Sequence, residues 1–245
     1  MPRTARKQSE AGIYHIMIRG INRQQIFIDD EDTRYFVSLL QEYQSTGSFV
    51  LYAYCLMGNH VHILLQTKND PLPVIMKRIG VRYVTHFNEK YDRIGHLFQD
   101  RYKSEPVDSD SYFLTVLRYI HNNPVKAGLC EKPEDYSLSS ARGYLLGDGI
   151  ADASFAESIT GKKELAAYLQ KKNDDECLDD CAARVSDNDA SKYICNLCGV
   201  KHPADCQGMA QEELSVYIPA MKKAGLSMHQ ISRLTGITFG IVRKY

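Results

Sequence analysis

Apolar and polar positions alternate from Ile13 to Ile21, so this stretch reads as a strand, with Ile13, His15 and Met17 on one face and Tyr14, Ile16 and Ile18 on the other. Acids from Asp29 to Asp32 then open a run in which Phe36, Leu39, Leu40 and Tyr43 recur at helical spacing and Gly47 acts as a stop, which predicts a helix over 31–45. The stretch from Phe49 to Gln66, FVLYAYCLMGNHVHILLQ, carries β-branched and aromatic residues on both sides of Met57-Gly58-Asn59 and reads as two antiparallel strands joined by a tight turn. A second helix fits Leu72 to Tyr91 on Val74, Ile75, Ile79 and Val84, and a short strand fits within His96 to Val107. The next helix, about Ser109 to Asn122, has the stripe Phe113, Val116, Leu117 and Ile120 and is expected to end at Pro124.

The order strand, helix, strand, strand, helix, strand is the split βαβ of a ferredoxin-like α+β domain with an antiparallel sheet. Helices are expected on one face only, leaving the other open for a site. Alternation along the strand from His60 sends Val61, Ile63 and Leu65 into the core and places His60 and His62 together on that open face.

Beyond this region the pattern changes. From about Gly147 to Ala190 acidic and small residues dominate, with short helical patches such as Lys163 to Leu169, and the stretch reads as a connector. Glu212 to Ala224 is helical and stopped by Gly225; Ser227 with Gln230 forms a capping box; Thr235-Gly236-Ile237 is a turn; and Thr238 caps a last helix. Two short helices around a Gly turn are a helix-turn-helix pattern, or alternatively a small helical protein-interaction module. The expected organisation is therefore a domain over 1–130, an acidic connector over 131–190 and a small all-α helix-turn-helix module over 191–245.

Charge sharpens this division. The chain is neutral overall, yet 1–130 carries +3, 131–190 carries −7 and 191–245 carries +4. Mildly basic modules suit a polyanion, although the signal by itself is weak. The chain has no apolar run approaching a membrane span, and MPRTARKQSE lacks the apolar segment of a secretory leader, so no membrane partner and a cytoplasmic, nucleoid-associated location are expected. Seven irregularly spaced cysteines argue for free thiols. Cys195, Cys198, His202 and Cys206 have two readings, a zinc half-site or a helix turn closed by Gly199 with cysteines as small core residues.

The candidate chemistry lies in the first 130 residues. His60 and His62 are either two surface histidines or half of a divalent-metal site. At about 100° per residue, Tyr112, Tyr119 and Asn123 form one column beside the apolar stripe of their helix, where a tyrosine is most often a half-buried core residue. Arg19 and Arg23 near a strand end, and Arg101 and Lys103 around Tyr102, are either solvated charges or phosphate contacts. Arg243 and Lys244 lie on or near the last helix.

The strings YAYCLMGNHVHILL, YHIMIRGINRQQIF at 14–27, LFQDRYKS at 97–104 and LRYIHNNPVKAGL at 117–129 together resemble, in order, the single-tyrosine HUH transposases, particularly the IS200-like and REP-associated tyrosine transposases. The resemblance implies Tyr119 as the nucleophile, and His60, His62 and Asn123 as ligands of Mg²⁺ or Mn²⁺; many relatives have Gln where this chain has Asn123. It also implies phosphate contacts at Arg19 and Arg23, single-stranded or hairpin DNA as the substrate, and strand transfer through a 5′-phosphotyrosine. A homodimer is compatible with it. Two rival readings remain open at this point: a domesticated DNA-binding regulator without catalysis, and a metal-dependent phosphodiesterase that uses water.

Overall fold

The computed structural model describes residues 6–147, 149–171, 177–178 and 187–245. Four strands, β1 (Ile13–Arg19), β2 (Phe49–Met57), β3 (His60–Thr67) and β4 (Lys103–Pro106), occur with ten α-helices among the described residues. The helices are α1 (Asp30–Ser45), α2 (Leu72–Lys90), α3 (Asp110–Lys126), α4 (Ala141–Leu146), α5 (Ser154–Thr160), α6 (Lys162–Leu169), α7 (Asp187–Cys198), α8 (Gln211–Lys223), α9 (Met228–Thr235) and α10 (Phe239–Lys244). The chain divides into two compact units, Met1–Leu178 and Asp179–Tyr245. No described helix is long and apolar enough to cross a membrane.

The sheet of the first unit has the order β2-β3-β1-β4, with all neighbours antiparallel, which is the ferredoxin-like α+β arrangement that the element order predicts. Alternation divides the strands as expected: Ile16 and Ile18 of β1 and Val61, Ile63 and Leu65 of β3 pack with Phe36, Leu39, Ile75 and Ile79 of α1 and α2. The start of α1 is set by reciprocal capping. The Asp29 carboxylate accepts from Glu31 N and Asp32 N, while the Asp32 carboxylate accepts from Asp29 N.

The opposite sheet face departs from expectation. It is covered, because Ile13, Tyr52, Ala53, Cys55, Met57 and Leu64 form an apolar surface that water would otherwise wet. The stripe of α3 (Phe113, Val116, Leu117, Ile120) supplies the cover, extended by Tyr144, Ala156, Leu165 and Leu169 from α4, α5 and α6. The first unit thus reaches past residue 130. Residues 136–144 also satisfy the free edge of β2: Leu56 N donates to Leu138 O, Ser140 N to Tyr54 O, and the Tyr136 and Tyr144 hydroxyls to Leu56 O and Tyr52 O. Of the span read as a connector, 148, 172–176 and 179–186 lie outside the described residues.

This packing fixes where the chain can be cut. A chain ending at residue 146, where the composition changes, would lose the burial of Leu165 and Leu169, about 3–6 kcal/mol against a typical total of about 5–15. A chain ending at Leu178 keeps both. Urea unfolding should therefore show a cooperative transition for the 178-residue chain and a much weakened one for the 146-residue chain; equal midpoints would mean that α5 and α6 do not belong to this core.

Pro124 does not stop α3, which runs on to Lys126. The proline removes one N–H in the last turn, and the end is closed beyond it by Ala127 N on Asn123 O, Gly128 N on Val125 O and Leu129 N on Pro124 O, with Gly128 at φ 70°.

In the second unit, Ile194, Ile218, Met221, Leu226, Ile231, Ile237 and Val242 form a core among α7 to α10. The Ser227 hydroxyl accepts from Gln230 N at 3.1 Å, as the capping pattern predicts, and Gly236 makes the turn after α9 at φ 73°. Thr238 occupies the position before α10, but its side chain makes no capping bond. Cys195 and Cys198 lie on α7, Gly199 follows at φ 67°, and Cys206 is buried in the core. Burial and neighbouring Cys206 push the Cys198 thiol up to about 12, so it stays protonated at neutral pH.

Candidate active site

Register decides which side chains meet. His60 stands opposite Arg19 across the β1–β3 ladder, His62 opposite Met17, and His15 opposite Leu64 on one side and Glu105 of β4 on the other. His15, His60 and His62 therefore share the face that α3 covers. Tyr119 reaches them from α3: its ring centroid lies 5.6 Å from that of His62 and 5.8 Å from that of His15. The His60 and His62 rings are 5.1 Å apart. Asn123 follows one helical turn after Tyr119, and its amide nitrogen donates to Tyr119 O at 3.4 Å.

The site is mostly closed to water. His62 is fully buried, Tyr119 is 3% exposed and Asn123 is buried, whereas His60 is half-buried. The expectation of two imidazoles on an open sheet face is thus corrected, because the apolar neighbours of His62 require the cover that α3 gives. Burial, followed by the neighbouring His15, His60 and Arg19, holds His62 well below the usual imidazole range. Its Nε2 is buried with no hydrogen-bond partner among the described residues, while its Nδ1 lies 3.0 Å from His15 Nε2. His60 Nδ1 is 2.7 Å from Asn59 Oδ1, which orients that ring.

The segment Arg19-Gly20-Ile21-Asn22-Arg23 is stitched to the turn beside His60. Gly20 N donates to Asn59 O, Ile26 N to Gly58 O, and Asn59 Nδ2 to Arg23 O. A Cβ at Gly20 would stand 2.3 Å from Gln24 O, so only glycine allows this approach. Asn22 and Arg23 adopt left-handed φ of 51° and 59°, a strained turn held beside the histidines. Arg19 is half-buried at the site and Arg23 is exposed near it.

Arg101 and Lys103 are exposed at the start of β4, flanking Tyr102, whose ring carries the Arg6 guanidinium at 3.8 Å. Arg243 and Lys244 are exposed in the last turn of α10 in the second unit. Arg233 is paired with Asp187 at 2.7 Å. The alternation had already put His15 on the same strand face as Met17, but its meeting with His62 and Glu105 required the strand order β3-β1-β4. No signal in the local sequence singles out either His15 or Glu105.

Among the described residues, no group of three or more His, Cys, Asp or Glu side chains is arranged to hold a metal ion. A third ligand for the His60 and His62 pair would therefore be an oxygen of another kind, such as an amide or a substrate phosphate. The same finding leaves Cys195, Cys198, His202 and Cys206 without a metal-binding arrangement.

Two buried histidines make stability depend on pH. His121, fully buried with Nε2 2.8 Å from Ser140 Oγ, is pushed down to about 3 by burial, and His62 is depressed as well. Both are neutral in the folded chain but take up protons in the unfolded chain below about pH 6.5. Their contribution is thus fully present above that pH and is lost as the pH falls, roughly 2 kcal/mol by pH 5 from His121, with His62 acting in the same direction. Urea midpoints at pH 7.5 and 5 should show the drop, and His121→Gln should remove the His121 share of it; a pH-independent midpoint would refute the burial argument.

Residues 8–123 match the family described as "Transposase IS200 like". Among solved structures, one described as a REP-associated tyrosine transposase bound to a REP hairpin is similar with 14% identity and a TM-score of 0.52, over 73% of this chain and 95% of that one. A Deinococcus radiodurans R1 protein provisionally described as a transposase has 19% identity and a TM-score of 0.35, over 49% of this chain and 96% of that one. The first of these shows a shared fold. No curated protein matches the chain.

Proposed function

Since residues 8–123 match the IS200-like transposase family, we propose that this chain cleaves and rejoins single-stranded, hairpin-associated DNA, with Tyr119 as the nucleophile. The observation that carries the reading is the placement of the Tyr119 ring against His62 and His15, on a helix that also presents Asn123. A core tyrosine needs no such neighbours. The similar protein bound to a REP hairpin supports a folded single strand as the substrate class.

The donor set fits Mg²⁺ or Mn²⁺. His62 offers a buried Nε2 with no hydrogen-bond partner among the described residues, His60 stands beside it, and the covering helix carries the Asn123 amide one turn after Tyr119. Bound there, such an ion would neutralise charge that builds on the scissile phosphate.

The Tyr119 oxygen attacks phosphorus, so a new O–P bond forms while the bond to the 3′ oxygen breaks. The phenol gives up its proton and the departing 3′ oxygen takes one up. A phenol suits the return step because its pKa of about 10 makes it a far better leaving group than an alkyl hydroxyl. Lys126, with Nζ 5.3 Å from the Tyr119 ring centroid, places positive charge near the developing phenolate. Because Tyr119 and His62 are buried, a phosphate reaches them only through a local opening of the cover over this sheet face. Arg19, Arg23, Arg101 and Lys103 would hold phosphates along the approach. The helical module with Arg243 and Lys244 would add a second DNA contact, raising affinity through effective concentration.

The test is incubation of the full chain with end-labelled hairpin DNA and Mg²⁺, followed by denaturing electrophoresis. A labelled adduct that survives denaturation supports the reading. Cleaved DNA without an adduct would favour water as the nucleophile, and uncleaved DNA that is nonetheless bound would favour a regulator.

A further inference from the structure

Glu105 and His15 sit behind His62 in a line that the sheet register builds. His15 Nδ1 is 2.7 Å from Glu105 Oε1, and His15 Nε2 is 3.0 Å from His62 Nδ1. His15 is fully buried, and Glu105 is held from its other sides by Leu178 N, which donates to Oε1 at 3.0 Å, and by the Tyr112 hydroxyl. Such fixing leaves little freedom in the proton arrangement.

A carboxylate can only accept, so His15 Nδ1 donates to Glu105. Neutral His15 then has only a lone pair at Nε2, and His62 Nδ1 must donate to it. The remaining nitrogen of neutral His62, Nε2, therefore carries a lone pair into a buried place where no described residue bonds it. A doubly protonated His15 would reverse the second bond and aim an N–H of His62 at the same place, where no described residue accepts it.

We propose that Glu105 and His15 are positioning residues that hold His62 in the Nδ1-protonated tautomer, with its Nε2 preset as a ligand position for a divalent cation. The proposal rests on the reading of His60 and His62 as metal ligands. It adds a carboxylate–imidazole relay behind that pair, and relays of this kind raise ligand basicity and fix ring orientation.

The experiment uses the full chain with ¹⁵N-labelled histidine. Long-range ¹H–¹⁵N spectra of the metal-free protein at neutral pH report which nitrogen of each ring carries the proton, and Mn²⁺ titration reports affinity. Wild-type His62 should show a protonated Nδ1 and an unprotonated Nε2. His15→Phe, which fills the volume without an acceptor, and Glu105→Leu, on an edge strand and less exposed to folding failure, should each loosen that tautomer and weaken Mn²⁺ binding about 10–100-fold. His15→Gln offers an amide oxygen near the Nε2 position and should recover part of the affinity. If the two histidines and the carboxylate were only packing, His15→Phe would be the milder change.

A protonated Nε2 on wild-type His62, or an unchanged tautomer and affinity in both the Phe and Leu variants, would overturn the relay. Failure of the metal reading looks different: Mn²⁺ would leave the His60 and His62 signals of the wild type sharp. The tautomer still decides the relay in that case, because it is recorded without metal.

Discussion

Tyr119→Phe is expected to abolish the covalent protein–DNA adduct while leaving the fold almost unchanged. Phenylalanine keeps the ring contacts with His15 and His62 and removes only the hydroxyl, so stability should change by about 1 kcal/mol or less. Tyr112→Phe, by contrast, removes a hydrogen bond to Glu105 at the edge of the site and should leave adduct formation in place. Peptide mapping of the wild-type adduct provides the check: a nucleotide mapped to any tyrosine other than Tyr119, or an adduct of normal yield in Tyr119→Phe, removes the assignment.

The second large effect concerns the histidine pair. His60→Ala should reduce Mg²⁺-dependent cleavage by about a thousandfold, since loss of metal charge neutralisation is worth several kcal/mol and each 1.36 kcal/mol is tenfold in rate. His60 is half-buried, so folding should tolerate the change. His62→Ala should lose cleavage to the same degree and also lose stability by about 1–3 kcal/mol, because His15 Nε2 is left buried without its partner. Single-turnover cleavage with Mg²⁺, paired with urea unfolding of each variant, separates the two effects. Wild-type cleavage by the double variant would place the chemistry elsewhere.

These two predictions draw on different parts of what the sequence discloses. Side-chain period assigned His60 and His62 to one face of β3 and Val61, Ile63 and Leu65 to the other, and the structure keeps that assignment. Helical period set Tyr119 and Asn123 one turn apart, and both are found side by side on α3. Period also put His15 with Ile13 and Met17, but alternation alone does not say which strand lies next to β1.

Local chemistry by itself therefore determined the elements from β1 to α3, their facing residues, the α+β class and the string of motifs around His60, His62 and Tyr119. Only the tertiary structure decided what covers the sheet. The apolar residues of β2 and β3 on the histidine face demand burial, and α3 with α5 and α6 meets that demand, which closes the site and carries the first unit to residue 178. The acidic composition after residue 130 concealed this, because solvated charges outnumber the few buried positions, such as Leu165 and Leu169, that bind the segment to the core. The line from Glu105 through His15 to His62 likewise exists only once β4 and β3 flank β1, since residues 90 and 47 positions apart meet through register and not through any pattern in the chain.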